Sequence, residues 1–183
     1  MPSYFSYIIC HDDGAAPNAE NGLLTLAICK PQIRRNAQKG DYIIAYSGSR
    51  LLKNTKEKRI IYIAKVDQSI PMSDYATLYP HRGDSIYTSC GRQKHNPFHS
   101  ESNADTDLSG KNVILCREFV YFGNKHIAVP VSINSTIPGR GHQKQKNQPY
   151  GSVIERKFTE WKQTYGVGKI GDYNHKQTKQ RLC

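Results

Sequence analysis

The chain has 183 residues, 26 Lys or Arg against 15 Asp or Glu, and a formal net charge of +11. That length suits one domain, or one domain with an extension, and lets about 70% of the unfolded chain's surface be buried. The charge favours a polyanionic partner, nucleic acid before an acidic membrane, and no apolar run approaches the ~20 residues of a membrane-spanning helix. Hydrophobic residues make up 37%, below the roughly 45–50% of ordinary globular domains. Twelve Tyr offset part of the shortfall, because a Tyr ring buries a large area and keeps a polar tip. The opening residues show neither a charged start nor a cleavage signature, so a cytoplasmic protein is expected. The five Cys are scattered with no Cys-x-x-Cys pair. That spacing argues against a zinc ribbon, and the odd count suits reduced thiols. No metal and no cofactor is implied.

Residues 4–10 mix aromatic and β-branched side chains and read as a strand. The run 11–18, His-Asp-Asp-Gly-Ala-Ala-Pro-Asn, reads as a loop because Gly14, Pro17 and Asn18 favour turns. Residues 23–29 form a second predicted strand, with Leu24, Leu26 and Ile28 on one face. Pro31 suits the first turn of a short helix, where its missing N–H costs nothing, and Gly40 can close that helix in a left-handed conformation. Residues 42–46 are a β-branched and aromatic strand stopped by Ser47-Gly48-Ser49. A charged loop at 54–59 leads into a like strand at 60–66. A short helix follows at about 71–79. Residues 82–110 are mostly polar, with Ile86, Tyr87, Phe98 and Leu108 as large anchors; so long a loop is usually functional or disordered. Short strands are predicted at 113–116, 118–122 and 127–133.

From 138 to 148 the chain reads as a linker of Gly, Lys and Gln. Ser152 and Glu155 make a capping box, Ile154, Phe158, Trp161 and Tyr165 recur at helical spacing, and Gly166 ends that helix. From Gly139 onward ten Lys or Arg face three acids, a net of +7 that leaves +4 for the rest. Short strands with helices between them indicate an α+β barrel and not a doubly wound parallel sheet.

The run Gly-Asp-Tyr-Ile-Ile-Ala-Tyr-Ser from Gly40, followed by Ile-Ile-Tyr-Ile-Ala-Lys-Val from Ile60, resembles the PUA-like superfamily and its EVE, ASCH and YTH branches. A closer resemblance is to the second of the families called nucleotide modification associated domains. It is carried further by Asp13-Gly14-Ala15-Ala16-Pro17-Asn18, Cys29-Lys30-Pro31-Gln32-Ile33-Arg34, Gly83-Asp84-Ser85-Ile86-Tyr87 and Phe119-Val120-Tyr121-Phe122-Gly123. The resemblance implies a small PUA-like β-barrel with inserted short helices that reads a nucleobase, often a modified one. The expected layout is a barrel over 1–137 and a basic linker, helix and tail over 138–183.

Nucleotide-binding candidates follow. Asp13 and Asn18 come from the run shared with the family, in which Ala15 stands where relatives commonly carry an aromatic. Lys30, Arg34 and Arg35 can grip phosphate, or form a solvated basic face; Lys30 and Arg34 are four apart and would share a helical face. Tyr46, Ser47 and Ser49 can supply a stacking ring and hydroxyls to a base, although a Tyr at a strand end is often core. His99, followed by Ser100, resembles a family run and would line the pocket. His11, Asp12 and Asp13 are the densest titratable cluster, suited to acid–base catalysis or to capping turns. No nucleophile elbow, Walker loop or dinucleotide fingerprint is present. The leading expectation is a module that binds a modified nucleobase or nucleotide, most often in nucleic acid, in a DNA-modification, phage or defence context. Two alternatives stand beside it: a glycosylase or nuclease-like hydrolase on the same scaffold, and a sensor of a small nucleotide signal.

Overall fold

The computed structural model describes residues 1–52, 57–96, 99–139, 142–145 and 150–176. Half of the charged loop expected at 54–59, the anchor Phe98 and the end of the basic tail lie outside the described residues. The strands in chain order are β1 (Tyr4–Ile9), β2 (Asn18–Glu20), β3 (Leu23–Leu26), β4 (Tyr42–Ser47), β5 (Arg59–Lys65), β6 (Gln68–Pro71), β7 (Asn112–Cys116), β8 (Glu118–Tyr121), β9 (Ile127–Ala128), β10 (His142–Gln145) and β11 (Gly168–Lys169). The helices are α1 (Pro31–Asn36), α2 (Met72–Leu78), α3 (Ala104–Leu108) and α4 (Tyr150–Tyr165), with short 3-10 turns between them.

The architecture is α+β, and the expected barrel is corrected. Among the described residues the strands form two open sheets, one ordered β10-β1-β4-β5-β8-β11 with β9 also on β5, the other β2-β3-β7-β6. The second is antiparallel at each described pair, and the first is mixed, with parallel pairs between β1 and β4 and between β8 and β11. The period-two alternation of the strands explains the layering. Phe5, Tyr7, Ile43, Ala45, Tyr62 and Tyr121 of the large sheet meet Leu24, Leu26, Ile114 and Cys116 of the small one. The alternate residues Tyr4, Tyr42, Ile44, Tyr46, Ile63 and Val120 face α4 through Ile154, Phe158 and Trp161. On the far side, Leu23, Val113 and Leu115 pack against Tyr75 of α2. Because both faces of the large sheet are covered at its centre, β4 and β5 are apolar along most of their length, as buried strands require.

Residues after 138 share this packing. β10 pairs with β1, β11 pairs with β8, and α4 buries Trp161 to 5% exposure. The boundary expected at 137/138 therefore marks a change in composition and not a break in contacts. Glu155 sits inside α4 and accepts a 2.6 Å bond from Tyr4 Oη. Pro31 opens α1 as expected, but the helix ends at Asn36, and Gly40 takes its positive φ of 94° in the turn before β4. The strand expected at 127–133 is a two-residue bridge followed by a 3-10 turn over Val131–Thr136. Among the described residues no helix is long and apolar enough to cross a membrane.

A chain ending at Pro138 would strip Ile154, Phe158 and Trp161 from the large sheet, each worth about 1.5–3 kcal/mol when buried. The expected result is loss of a cooperative denaturant transition in the shortened protein. In the full chain, Trp161 emission should be blue-shifted and redden only with global unfolding.

Candidate functional site

Strand register builds one feature that an ordinary core lacks. Tyr7 of β1 stands opposite Ala45 of β4, Ala45 opposite Tyr62 of β5, and Tyr62 opposite Tyr121 of β8. These side chains share the face between the sheets. Ala45 offers only a methyl, so the rings of Tyr7 and Tyr62 meet edge to face above it, 6.1 Å apart, with their hydroxyls 2.9 Å from one another. Tyr62 and Tyr121 stack at 6.4 Å.

Asp12 closes one end of this row. Tyr121 Oη donates to its two carboxylate oxygens at 2.6 and 2.7 Å, and the side-chain amide of Asn174 donates to Oδ2 at 2.7 Å. The Asp12 N–H donates to His175 Nδ1 at 3.2 Å, which places the imidazole proton of a neutral His175 on Nε2. His11 stacks on His175 at 4.3 Å and holds its Nε2 3.4 Å from Asp13 Oδ2. Burial, then the Asp12 carboxylate, raises the Tyr121 phenol far above its ordinary range. Burial, then Tyr7, does the same for Tyr62. The row thus presents neutral hydroxyls beside one carboxylate.

Lys30 closes the other end, with Nζ 5.1 Å above the Tyr7 ring. Burial lowers its pKa, against a weaker opposing pull from Cys10. Cys29 and Lys30 both take left-handed backbone, φ 56° and 45°. Asp107 holds that turn: its Oδ1 accepts the Cys29 N–H at 2.6 Å, and its Oδ2 meets Tyr87 Oη at 3.0 Å and His99 Nε2 at 2.7 Å. The rim is shaped by Gly48, whose N–H donates to Ile9 O at 2.7 Å. A Cβ there would stand 2.9 Å from that same oxygen, so only glycine lets the turn lie against Cys10.

The expected site residues distribute unevenly over this frame. His11, Asp12, Asp13 and Lys30 come together around the row. Asp12, read as a catalytic candidate, is 1% exposed and answered by donors on several sides, so it orients the loop. Arg34 is wholly buried, its guanidinium donates to the carbonyls of Ala27 and Asp107, and burial brings its pKa down to about 10. Arg35, one position on, is exposed on α1. Tyr46, one residue past Ala45, points to the opposite face, where its hydroxyl meets Thr136 Oγ1 at 2.5 Å. The Ser47 hydroxyl is spent on the Arg59 N–H at 2.8 Å, while Ser49 lies exposed in the turn.

Asn18 is occupied too. Its amide donates to Gly14 O at 2.7 Å and its oxygen accepts from Arg82 at 2.5 Å, at the edge of a cleft of about 430 Å³ formed with Glu20, Tyr79, His81 and Arg82. His99 is 5% exposed and serves Asp107. Sequence reasoning missed Tyr7, Tyr62, Tyr121, Asp107, Asn174 and His175. One signal was available: Tyr outnumbers Phe twelve to five, and a buried Tyr needs a partner for its hydroxyl.

Fold and site together define a layered α+β domain whose interior carries hydroxyls, a carboxylate and an ammonium along one sheet. Its sequence matches the nucleotide modification associated domain 2 family over residues 1–82 and 78–179, so the chain belongs to that family. No curated protein and no solved structure matches it.

Replacing Arg34 by Met strands two buried carbonyls. A loss of about 1–3 kcal/mol for each is expected in urea unfolding, with oligonucleotide affinity of the folded protein unchanged. Collapse of affinity at full stability would contradict the burial described here.

Proposed function

We propose that this protein binds a nucleobase or nucleotide carrying a modification, most often within nucleic acid, at the Lys30–Tyr7–Tyr62–Tyr121–Asp12 row. The observation that carries this reading is the row itself. Three tyrosines aligned across four strands, packed above the methyl of Ala45, set aromatic faces and hydrogen-bonding groups side by side in one interior. A flat heterocycle needs both: stacking for affinity and edge contacts for identity. Apolar side chains would fill a purely structural core without the cost of burying hydroxyls.

Family membership supports a nucleotide-modification role, and the net charge of +11 supports a polyanionic partner. The segments that resemble PUA-like scaffolds are β4 and β5, which carry Ala45 and Tyr62, so base reading in the PUA-like manner is the closest description. A place in DNA modification or in defence against phage fits the same theme. Half-buried His11 and Lys30 and exposed Cys10 and Ser49 form the way in, and an extruded base would have to repay a few kcal/mol of unstacking through contacts beyond that rim. Phosphate contacts fall to exposed cations such as Arg35 in place of Arg34.

Paired titrations against oligonucleotides with and without modified bases test this. Tyr62→Phe keeps the ring and removes one hydroxyl. It should lower discrimination by about 1–3 kcal/mol and leave plain affinity nearly intact. With about five phosphate contacts, log K against log salt should slope near −4 to −5 on duplex DNA. A well-folded Tyr62→Phe protein with full discrimination, or a slope near zero, defeats the polymer-bound form of the reading.

A further inference from the structure

We propose that Lys30 is an imine-forming lysine, its side-chain amine attacking an aldehyde on a nucleotide seated against the tyrosine row. The proposal rests on the base-binding reading and adds a covalent step to it. Three observations carry it. First, two consecutive non-glycine residues, Cys29 and Lys30, sit in left-handed backbone, a conformation that costs L-residues energy and persists only where the surroundings impose it. The buried Asp107 carboxylate holds it by accepting the Cys29 N–H at 2.6 Å, Asp107 is itself fixed by Tyr87 and His99, and Cys29 is further tied by a disulfide. The turn held in this way carries Lys30 over the Tyr7 ring.

Second, the ammonium lies over the Tyr7 ring, and among the described residues no carboxylate pairs with it. A lysine with a structural task in a buried setting normally pairs with an acid. Third, Lys30 is only partly covered, so a ligand at the rim can meet its nitrogen. Desolvation is the standard means of keeping an amine neutral and nucleophilic near neutral pH, and the burial-lowered pKa of Lys30 agrees with that.

The step balances without an external oxidant or reductant. The Nζ lone pair forms a C–N bond to the carbonyl carbon, the carbonyl oxygen is protonated twice and leaves as water, and a protonated imine remains. That product is a cation over the Tyr7 face, where a cation already sits, so the ring stabilises it. Two nucleotide aldehydes share this chemistry: a 5-formylpyrimidine base, and the ring-opened sugar of an abasic site.

The test uses the full chain with three oligonucleotides, one bearing 5-formylpyrimidine, one an abasic site and one unmodified, each with sodium borohydride, which reduces an imine to a stable amine. The expected result is a covalent protein–oligonucleotide species with one or both aldehyde substrates, located on Lys30 by peptide mass spectrometry. The formyl arm alone assigns the aldehyde to the base, and the abasic arm alone assigns it to the sugar. Lys30→Arg should reduce the species by about tenfold or more, because a guanidinium stays protonated and forms no such imine. Lys39→Arg should leave it unchanged. Denaturant unfolding confirms the variants are folded, and Lys30→Gln repeats the test should Lys30→Arg fail to fold. No adduct, or an adduct undiminished by the Lys30 variants, overturns the proposal; if titration with an aldehyde-free modified base still shows binding, the base-binding reading survives. Absence of binding to every oligonucleotide defeats both.

Discussion

A carboxylate taken out of water must be met by donors, and Asp12 is met by donors from far along the chain. Tyr121 reaches it from β8, and the side chain and backbone N–H of Asn174 reach it from the segment after β11. Leaving such a group without partners costs several kcal/mol, more than any single contact around it contributes. The loop at 11–18, the end of the tyrosine row and the C-terminal segment are therefore fixed together or not at all. The same segment adds Tyr173, whose hydroxyl accepts the Ala19 N–H at 2.9 Å and whose ring stands edge-on to Tyr121.

The small sheet and its loops follow the same rule at other carboxylates. Asp84 accepts from Thr25 at 2.5 Å and Tyr75 at 2.7 Å, with Arg82 3.6 Å away, and its burial pushes its pKa up. Asp107 ties α3 to the Cys29–Lys30 turn and, through its carbonyl, to Arg34. Asp41 accepts from the backbone of Ser3 and Gln38 at the start of β4. Irregular backbone in this protein is thus held by short acidic side chains buried within it, while the hydrophobic layers set the distance between sheets.

Much of the fold was legible because long apolar strands announce themselves. The strands containing Ile43 to Tyr46 and Ile60 to Ala64 needed no help from their surroundings, and neither did the spacing of Ile154, Phe158 and Trp161. The site was less legible, for identifiable reasons. When both faces of a strand are buried, alternation no longer tells which face matters, so Tyr46 drew attention that belonged to Ala45 and Tyr62. An Arg on a six-residue helix resembles a solvated cation until its acceptors are known, and those of Arg34 lie seven and seventy-three positions away. β10, in a run of Lys and Gln, carries no hydrophobic period because an edge strand is defined by its partner, here β1.

The bond from Asn174 to Asp12 spans 162 residues of sequence, which bears on the order in which the molecule can be completed. A ribosome adds residues one after another at about 5–20 per second and releases the beginning of a chain well before its end. β1, β4 and β5 can pair early, yet Asp12 must wait for its partner Asn174 until 162 further residues have been made. Loop-closure entropy opposes contacts of such separation until the rest of the fold has brought their ends together. A translation product interrupted before Asn174 therefore carries the Asp12 carboxylate without two of its donors.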